Sequence, residues 1–307
     1  MKILILGAGG IGGYFGGRLT QASADVTFLV RPRRARQLAE NGLVIKSPMG
    51  DARIAAATVL AENLRPEYDL VILACKAYDL DAAIAAVVPA IGPHTAILPT
   101  LNGLRHIDVL AERFGAAHVL GGLAQIAVTL TPAGEIHHLG DFHVIAFGER
   151  SGGHSLRCRA FAKVCARANF TAHPSDHINL ELWEKFVFLA TLAGMTCLMR
   201  ASVGAIMEAD DGEALTREML EECRKVAVAA GHPPRADAMS RHAELLTERG
   251  SGFTASMLRD MERSGPTEGE HIVGDMLARA RTFRVAAPLL RMAHAHLQTY
   301  EAARTPK

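Results

Sequence analysis

The sequence predicts an α/β domain followed by an all-α domain, because the pattern of apolar residues changes near the middle of the chain. Before that point, short apolar runs at 3–6 and 70–74 alternate with helix-like segments, as in βαβ units that build a parallel sheet. From residue 179 onward, almost every segment has helical periodicity. A chain of 307 residues is long enough for two domains, and we place them at 1–175 and 176–307.

The first domain reads as a mostly parallel sheet with an antiparallel edge. Strands are predicted at 3–6, 26–30, 70–74 and 96–98, with helices at 11–22, 34–41, 80–88 and 107–114 between them. A hairpin is expected from 43–45 and 54–59. An antiparallel meander is expected from 128–131, 137–139 and 143–147, with turns at 132–134 and 140–141.

A helix at 156–168 and a short strand at 170–172 close this domain. The second domain is predicted to consist of helices separated by breaks rich in glycine and proline. We expect these helices at 182–198, 213–230, 236–248, 255–263, 267–282 and 288–303.

Composition excludes several classes of function. The formal net charge is +1 and aromatic residues make up 5% of the chain, which argues against a nucleic-acid partner. The five cysteines form no CxxC pair, as is typical of reduced thiols in a cytoplasmic protein. No Cys/His cluster has the spacing of a metal site. We also expect no segment of transmembrane length and no targeting peptide.

A glycine-rich loop follows the first strand: Gly7-Ala8-Gly9-Gly10-Ile11-Gly12. The alternative, a glycine-rich turn without a ligand, is common. Here, however, the loop lies between a strand and a helix. Gly7 then allows the tight turn, Gly9 the close approach of a pyrophosphate, and Gly12 the packing of helix on strand. This context predicts a Rossmann-type dinucleotide-binding domain with the phosphates at the helix N-terminus.

The residue after the second strand indicates which dinucleotide is bound. Sites for NADH favour Asp or Glu there, which accepts a hydrogen bond from the ribose 2′-hydroxyl. This chain has Arg31, followed by Pro32-Arg33-Arg34. A guanidinium binds a 2′-phosphate as a fork, whereas a carboxylate would repel it. The alternative is a solvated basic loop; we predict NADPH.

Further short motifs occur in a fixed order along the chain. They are Cys75-Lys76-Ala77, Leu101-Asn102-Gly103-Leu104, Trp183-Glu184-Lys185-Phe186, Ala255-Ser256-Met257-Leu258-Arg259-Asp260 and Thr267-Glu268-Gly269-Glu270-His271-Ile272. Together with the glycine loop and Arg31, this set makes the chain resemble the ketopantoate reductases, or 2-dehydropantoate 2-reductases. The resemblance spans residues 1 to about 281. It implies a Rossmann domain, an all-α domain, and NADPH-dependent reduction of ketopantoate to pantoate for pantothenate and coenzyme A synthesis.

The resemblance also implies roles for individual residues. Lys76 and Asn102 would contact the cofactor, with Asn102 near the substrate as well. Lys185 matches the catalytic lysine of the family, Ser256 a serine that contacts substrate, and Glu268 an acidic residue of the active site. Each has an ordinary alternative, such as a surface lysine for Lys185, or a carboxylate in the first turn of a helix for Glu268.

Three positions depart from the family pattern. Where the family has asparagines after the catalytic lysine, at i+4, at i+8 and further along, this chain has Leu189, Ala193 and Val203. Apolar side chains cannot hydrogen-bond a hydroxylated substrate, so the pocket is expected to suit a more apolar 2-oxo acid unless neighbouring residues compensate.

Other functions stay open at this point. One is another 2- or 3-hydroxy acid dehydrogenase of similar architecture, and one is a catalytically silent NADPH-binding protein. Nucleic-acid binding would rest on the arginines of 31–36 alone. The helical domain has faces enough for a homodimer, but many monomeric bundles do too.

Overall fold

The computed structural model describes residues 1–304 as two compact units. The first contains Met1–Leu101 and His106–Ile178, and the second contains Asn102–Arg105 with the described residues from Asn179 onward. The predicted order, an α/β domain followed by an all-α domain, is confirmed. The predicted division after residue 175 lies close to Ile178.

The strands of the first unit form two sheets. In chain order they are β1 (Lys2–Leu6), β2 (Asp25–Leu29), β3 (Leu43–Lys46), β4 (Ala52–Ile54), β5 (Ala57–Val59), β6 (Leu70–Leu73), β7 (Ala96–Pro99), β8 (Gly121–Leu130), β9 (Ile136–Gly148) and β10 (Thr171–Pro174). One sheet is wholly parallel, in the order β5-β2-β1-β6-β7. Apart from Lys2, the residues of β1, β6 and β7 are apolar, and almost all of them are buried, as expected for a sheet that is covered on both faces.

The second sheet corrects the prediction of one sheet with an antiparallel edge. Its order is β10-β9-β3-β4, and β8 pairs antiparallel with β9. The predicted hairpin partner at 54–59 is in fact two strands. β4 pairs with β3, whereas β5 joins β2 in the parallel sheet. The apolar pattern at 54–59 does not show which sheet each half joins, because pairing depends on distant partners.

The predicted three-stranded meander is also wrong. β8 and β9 form one long hairpin, and the predicted turn at 140–141 is part of an irregularity within β9. Val128 pairs with His138 and Ile126 pairs with His143, so residues 139–142 bulge from the ladder. Leu139 and Phe142 are exposed at this bulge. Gly140-Asp141 therefore marks a bulge rather than a chain reversal.

The helices of the first unit are α1 (Gly10–Gln21), α2 (Pro32–Asn41), α3 (Leu80–Val87), α4 (Arg105–Phe114), whose first residue belongs to the second unit, and α5 (Leu156–Cys165). The glycines of α1 are explained by its packing. A Cβ on Gly12 would overlap the Gly7 carbonyl oxygen, and one on Gly16 would lie 2.5 Å from Ile5 Cδ1. Glycine at both positions lets α1 lie directly against β1.

The second unit is helical. Its helices are α6 (Ile178–Met199), which begins at the last residue of the first unit, α7 (Val203–Ile206), α8 (Gly212–Ala229), α9 (Ala236–Leu246), α10 (Ser256–Glu262), α11 (Asp275–Thr282) and α12 (Pro288–Arg304). The predicted helix at 267–282 begins later than expected. Thr267 and Glu268 precede it, and a π-helical segment, Glu270–Gly274, leads into α11.

Helix α6 corrects the expectation that no segment reaches transmembrane length. It has 22 residues and is long and apolar enough to cross a membrane, but 72% of its most apolar window is buried inside the protein. Such burial is typical of the central helix of a helical core.

Candidate active site

The glycine loop has the geometry of a phosphate cradle. Gly7 has φ +90°, and its N–H donates to the Leu29 carbonyl oxygen at 3.0 Å, which ties the loop to β2. Helix α1 begins at Gly10, directly after Gly9. A Cβ on Gly9 would meet no atom within 4 Å. The backbone of Gly9 therefore faces open space at a helix N-terminus, where N–H groups favour a negatively charged group.

A cavity of about 710 Å³ opens beside this loop. Of the predicted cofactor residues, Gly7, Ala8, Gly9, Arg31 and Lys76 line it, and Gly10, Ile11, Gly12 and Asn102 do not. The volume is in the range usual for cofactor sites. A dinucleotide fits the glycine loop and this cavity, whose lining includes the basic side chains of Arg31 and Lys76. Gly12 contributes through the packing of α1 rather than by lining the cavity.

The arginines at the cavity have different environments. The Arg34 guanidinium is held by protein oxygens: the Ala8 carbonyl at 2.8 Å, the Gly134 carbonyl at 3.0 Å and Gln37 Oε1 at 2.6 Å. Arg34 therefore joins α2 to the glycine loop and the β8–β9 turn. The Arg31 side chain is 81% exposed and pairs with the half-exposed Asp79 carboxylate at 3.4 Å. Such a pair is weak in water, so Arg31 can turn to a ligand phosphate.

Lys185 lies near the beginning of α6, within a motif whose other members are packed. The Trp183 ring stacks on His232 with 5.5 Å between centroids, and the Arg279 guanidinium lies 5.4 Å from its centroid. The buried Glu184 carboxylate accepts hydrogen bonds from the Arg235 backbone N–H at 2.9 Å and from its Nε at 2.8 Å. These contacts fix the first turns of α6 and hence the position of Lys185.

Lys185 is partly exposed as a residue, but its ammonium group is buried, and the charge of Glu268 acts on it. Burial lowers the pKa of Lys185 to about 8, while the charge of Glu268 opposes this shift. Glu268 itself is only 4% exposed. A lysine with a pKa near 8 can donate a proton close to neutral pH and stabilise a negatively charged oxygen beside it.

The predicted helix at 267–282 would place Glu268 in its first turn, but the structure does not place it in a regular helix. It precedes the π-helical segment, and its carbonyl oxygen accepts hydrogen bonds from the N–H groups of His271 and Ile272, both at 3.0 Å. Its carboxylate also raises the pKa of His271, although burial lowers that pKa overall. The irregular start of this helix places Glu268 where its charge reaches both Lys185 and His271.

His271 was missed by the sequence reasoning, although it lies in the Glu268 motif. Its imidazole is buried and hydrogen-bonds the backbone of Asn102. Gly103 packs on it, since a Cβ there would lie 3.0 Å from the His271 carbonyl oxygen. The structure thus brings together Asn102, His271, Glu268 and Lys185, within the second unit. The signal available in the sequence was that His271 lies only three residues after Glu268, within the same motif.

Ser256 is the first residue of α10 and is partly exposed. The Ala255 N–H before it lies 3.4 Å from Thr196 Oγ1 on α6. Among the three departures from the family pattern, Ala193 and Val203 are buried and Leu189 is partly exposed. The roles assigned to Lys76, Asn102, Lys185, Ser256 and Glu268 stay predictions. No group of His, Cys, Asp and Glu in residues 1–304 is arranged to hold a metal ion.

Comparison with known proteins identifies the family. Residues 3–152 match the family model "Ketopantoate reductase PanE/ApbA", and residues 177–301 match its C-terminal counterpart. The chain belongs to the ketopantoate reductase family. It is an oxidoreductase of that kind, so the resemblance deduced from the sequence motifs is confirmed.

The proteins that resemble this chain are named as different oxidoreductases. It is 38% identical to the uncharacterized oxidoreductase YkpB of Bacillus subtilis strain 168, over 98% of this chain and 99% of the relative. A crystal structure of 2-dehydropantoate 2-reductase from Methylococcus capsulatus is 27% identical, with a TM-score of 0.89 and coverage of 100% and 99%. A ternary structure of D-mandelate dehydrogenase with NADH and anilino(oxo)acetate is 21% identical, with a TM-score of 0.88 and 99% coverage of both chains. The fold therefore occurs with more than one substrate.

Proposed function

We propose that this protein reduces a 2-oxo acid to the corresponding 2-hydroxy acid with NADPH. The observation that carries the proposal is the partly buried Lys185, whose pKa of about 8 is set by burial against the charge of Glu268. Membership of the ketopantoate reductase family supports 2-dehydropantoate as the first substrate to test, and pantothenate synthesis as the pathway. A cytoplasmic location and a homodimer also stay predictions.

The chain's own residues account for the proton and the charge. When bound, NADPH supplies the hydride. The C2 carbonyl of the substrate becomes an alcohol, and its oxygen takes a proton from Lys185. Before the proton arrives, the ammonium stabilises the negative charge on that oxygen. Glu268 keeps Lys185 protonated to higher pH by raising its pKa.

Most of the proposed cofactor contacts belong to the first unit, and Asn102 of the second unit is proposed to contact the cofactor as well. The glycine loop would bind the pyrophosphate and Arg31 the 2′-phosphate, since the Arg31 side chain is exposed and weakly paired. Lys76 lines the same cavity.

A second substrate candidate is a 2-oxo acid that is more apolar than 2-dehydropantoate. Leu189, which is partly exposed, favours it, because a leucine there cannot hydrogen-bond a substrate hydroxyl. The fold neighbour that acts on mandelate is compatible with this candidate.

The deciding experiment measures NADPH oxidation with 2-dehydropantoate beside larger, more apolar 2-oxo acids. Turnover of any of them, lost in a Lys185→Ala variant, supports 2-oxo acid reduction. Cofactor binding without oxidation across the whole panel would instead support a silent NADPH-binding protein. Equal or tighter binding of NADH would contradict the assignment of Arg31.

A further inference from the structure

Three rings form a cluster in the second unit. The Phe188 ring on α6 lies with its centroid 5.1 Å from that of His242 on α9 and 6.1 Å from that of Phe253. The Phe188 and Phe253 rings are nearly parallel, at 24°. We call Phe188, His242 and Phe253 the aromatic cluster.

The cluster joins the two segments that hold Lys185 and Ser256. Phe188 lies three residues after Lys185, so both side chains are on the same face of α6. Phe253 lies three residues before Ser256, at the end of the loop that leads to α10. Phe188 lies about one helical turn from Lys185. The stacking of Phe253 on Phe188 therefore links the position of Ser256 to that of Lys185.

The loop that carries Phe253 is well anchored. The Val203 N–H donates to the Phe253 carbonyl oxygen at 2.9 Å, and the Gly204 N–H donates to that of Ser251 at 2.8 Å. Although its backbone is held in this way, the Phe253 side chain is 41% exposed. An anchored loop that presents a phenyl ring to solvent offers a preformed apolar surface on which a ligand ring can pack.

The surroundings of these rings suit a flat, apolar group. Leu189, next to Phe188, is also partly exposed. Burial lowers the pKa of His242 to about 4, so its ring is neutral at physiological pH. Within residues 1–304, His242 Nδ1 is buried without a hydrogen-bond partner. Aromatic rings bind other rings in stacked or edge-on contact at centroid distances of about 4.5–7 Å.

We propose that the aromatic cluster binds the side chain of the substrate and that this substrate is an aryl-substituted 2-oxo acid. The inference rests on the proposed 2-oxo acid reduction and assigns its substrate class. The oxo and carboxylate groups lie toward Lys185 and Ser256, and the aryl ring packs on Phe253 and Phe188. The reaction is the one given above: the C2 carbonyl of the aryl acid is reduced and the nicotinamide is oxidised.

The test compares kcat/KM for benzoylformate and pyruvate, which share the 2-oxo acid group and differ in the side chain. We expect the wild type to prefer benzoylformate. Phe253→Ala should lower kcat/KM for benzoylformate by about tenfold or more while pyruvate changes little, because only the aryl contact is lost. Phe253→Leu should retain part of the preference.

Phe283→Ala is the matched control, since Phe283 is 40% exposed in the same unit but far along the chain from Lys185 and Ser256. It should leave both substrates unchanged. A wild type that reduces pyruvate or 2-dehydropantoate better than benzoylformate overturns the inference and leaves 2-oxo acid reduction standing. A Phe253→Ala variant that keeps the wild-type preference for benzoylformate over pyruvate also overturns the inference.

If no substrate is turned over, the proposed 2-oxo acid reduction is contradicted. A binding measurement then tests the aryl subsite separately. Titration calorimetry of the NADP⁺-loaded protein compares mandelate with lactate. Tighter binding of mandelate, lost in Phe253→Ala and kept in Phe283→Ala, supports the aryl subsite even without catalysis. Equal binding of both acids overturns it.

Discussion

The two units build their sites in different ways. In the first, the glycine loop, a helix N-terminus and the carboxyl ends of parallel strands form the cavity, so backbone carries most of the geometry. In the second, Lys185, Glu268, His271 and Asn102 come from three separate stretches of chain and meet mainly through side chains. The backbone site can be recognised from a short motif, whereas the side-chain site depends on tertiary packing.

The largest expected effect concerns the side-chain site. Lys185→Ala should lower kcat by about 10²–10⁴-fold, because the proton donor is removed, while cofactor affinity stays the same. Steady-state kinetics and cofactor titration measure the two quantities. Lys225→Ala is the control, since Lys225 is an exposed lysine of α8. Near-normal turnover of Lys185→Ala would remove this lysine from the mechanism.

The next effect tests the one side chain to which cofactor choice is assigned. Arg31→Ala should weaken NADPH binding by about 10–100-fold, as expected for the loss of charge-assisted hydrogen bonds, and barely affect NADH. Asp79→Asn should strengthen NADPH binding, because Asp79 pairs with Arg31 and faces the same cavity. Cofactor fluorescence titrations measure both, with Arg36→Ala on α2 as the control. A parallel loss of NADH affinity would contradict the 2′-phosphate assignment.

Two glycine variants test whether backbone carries the first site. Gly9→Ala should fold normally, since its Cβ meets no atom within 4 Å, but weaken cofactor binding by about tenfold because the phosphate approaches there. Gly12→Ala should instead lower the free energy of unfolding by about 1–3 kcal/mol through overlap with the Gly7 carbonyl. Urea unfolding and cofactor titration separate the two. Gly140→Ala, also with open space around its Cβ, should change neither; unaltered cofactor binding in Gly9→Ala would count against the cradle.

The smallest effect is a shift in pH dependence. Reduction needs protonated Lys185, so its rate should fall as pH rises through about 8. Glu268→Gln removes a charge that raises this pKa, so the fall should move to lower pH. Glu270→Gln is the control, because Glu270 is exposed and bonded to His294 and Gln298. If Glu268→Gln leaves the pH profile in place, Glu268 does not act through Lys185.

Local signals explain what could be predicted from the sequence. A strand, a glycine loop and a helix follow one another within 21 residues, so the phosphate loop was recognisable, as was the helical second half. The destination of β5 and the bulge at 139–142 were not, because strand pairing is decided by partners far along the chain. The aromatic cluster was missed for the same reason, since neither spacing nor composition shows that Phe188 stacks on Phe253. His271 lies within the Glu268 motif, but its hydrogen bond to the Asn102 backbone depends on tertiary packing that the motif does not show.

The contacts of Arg34 and Gln37 with the β8–β9 turn have a consequence for motion. Arg34 Nη1 donates to the Gly134 carbonyl and Gln37 Nε2 to that of Ala133, and Thr131, Pro132 and Gly134 line the cavity. A cofactor in the cavity would contact both the helix and the turn, so detachment of the turn would cost the binding energy as well as these hydrogen bonds. Amide hydrogen exchange at Thr131, Gly134 and Glu135 should therefore slow as the cofactor concentration rises.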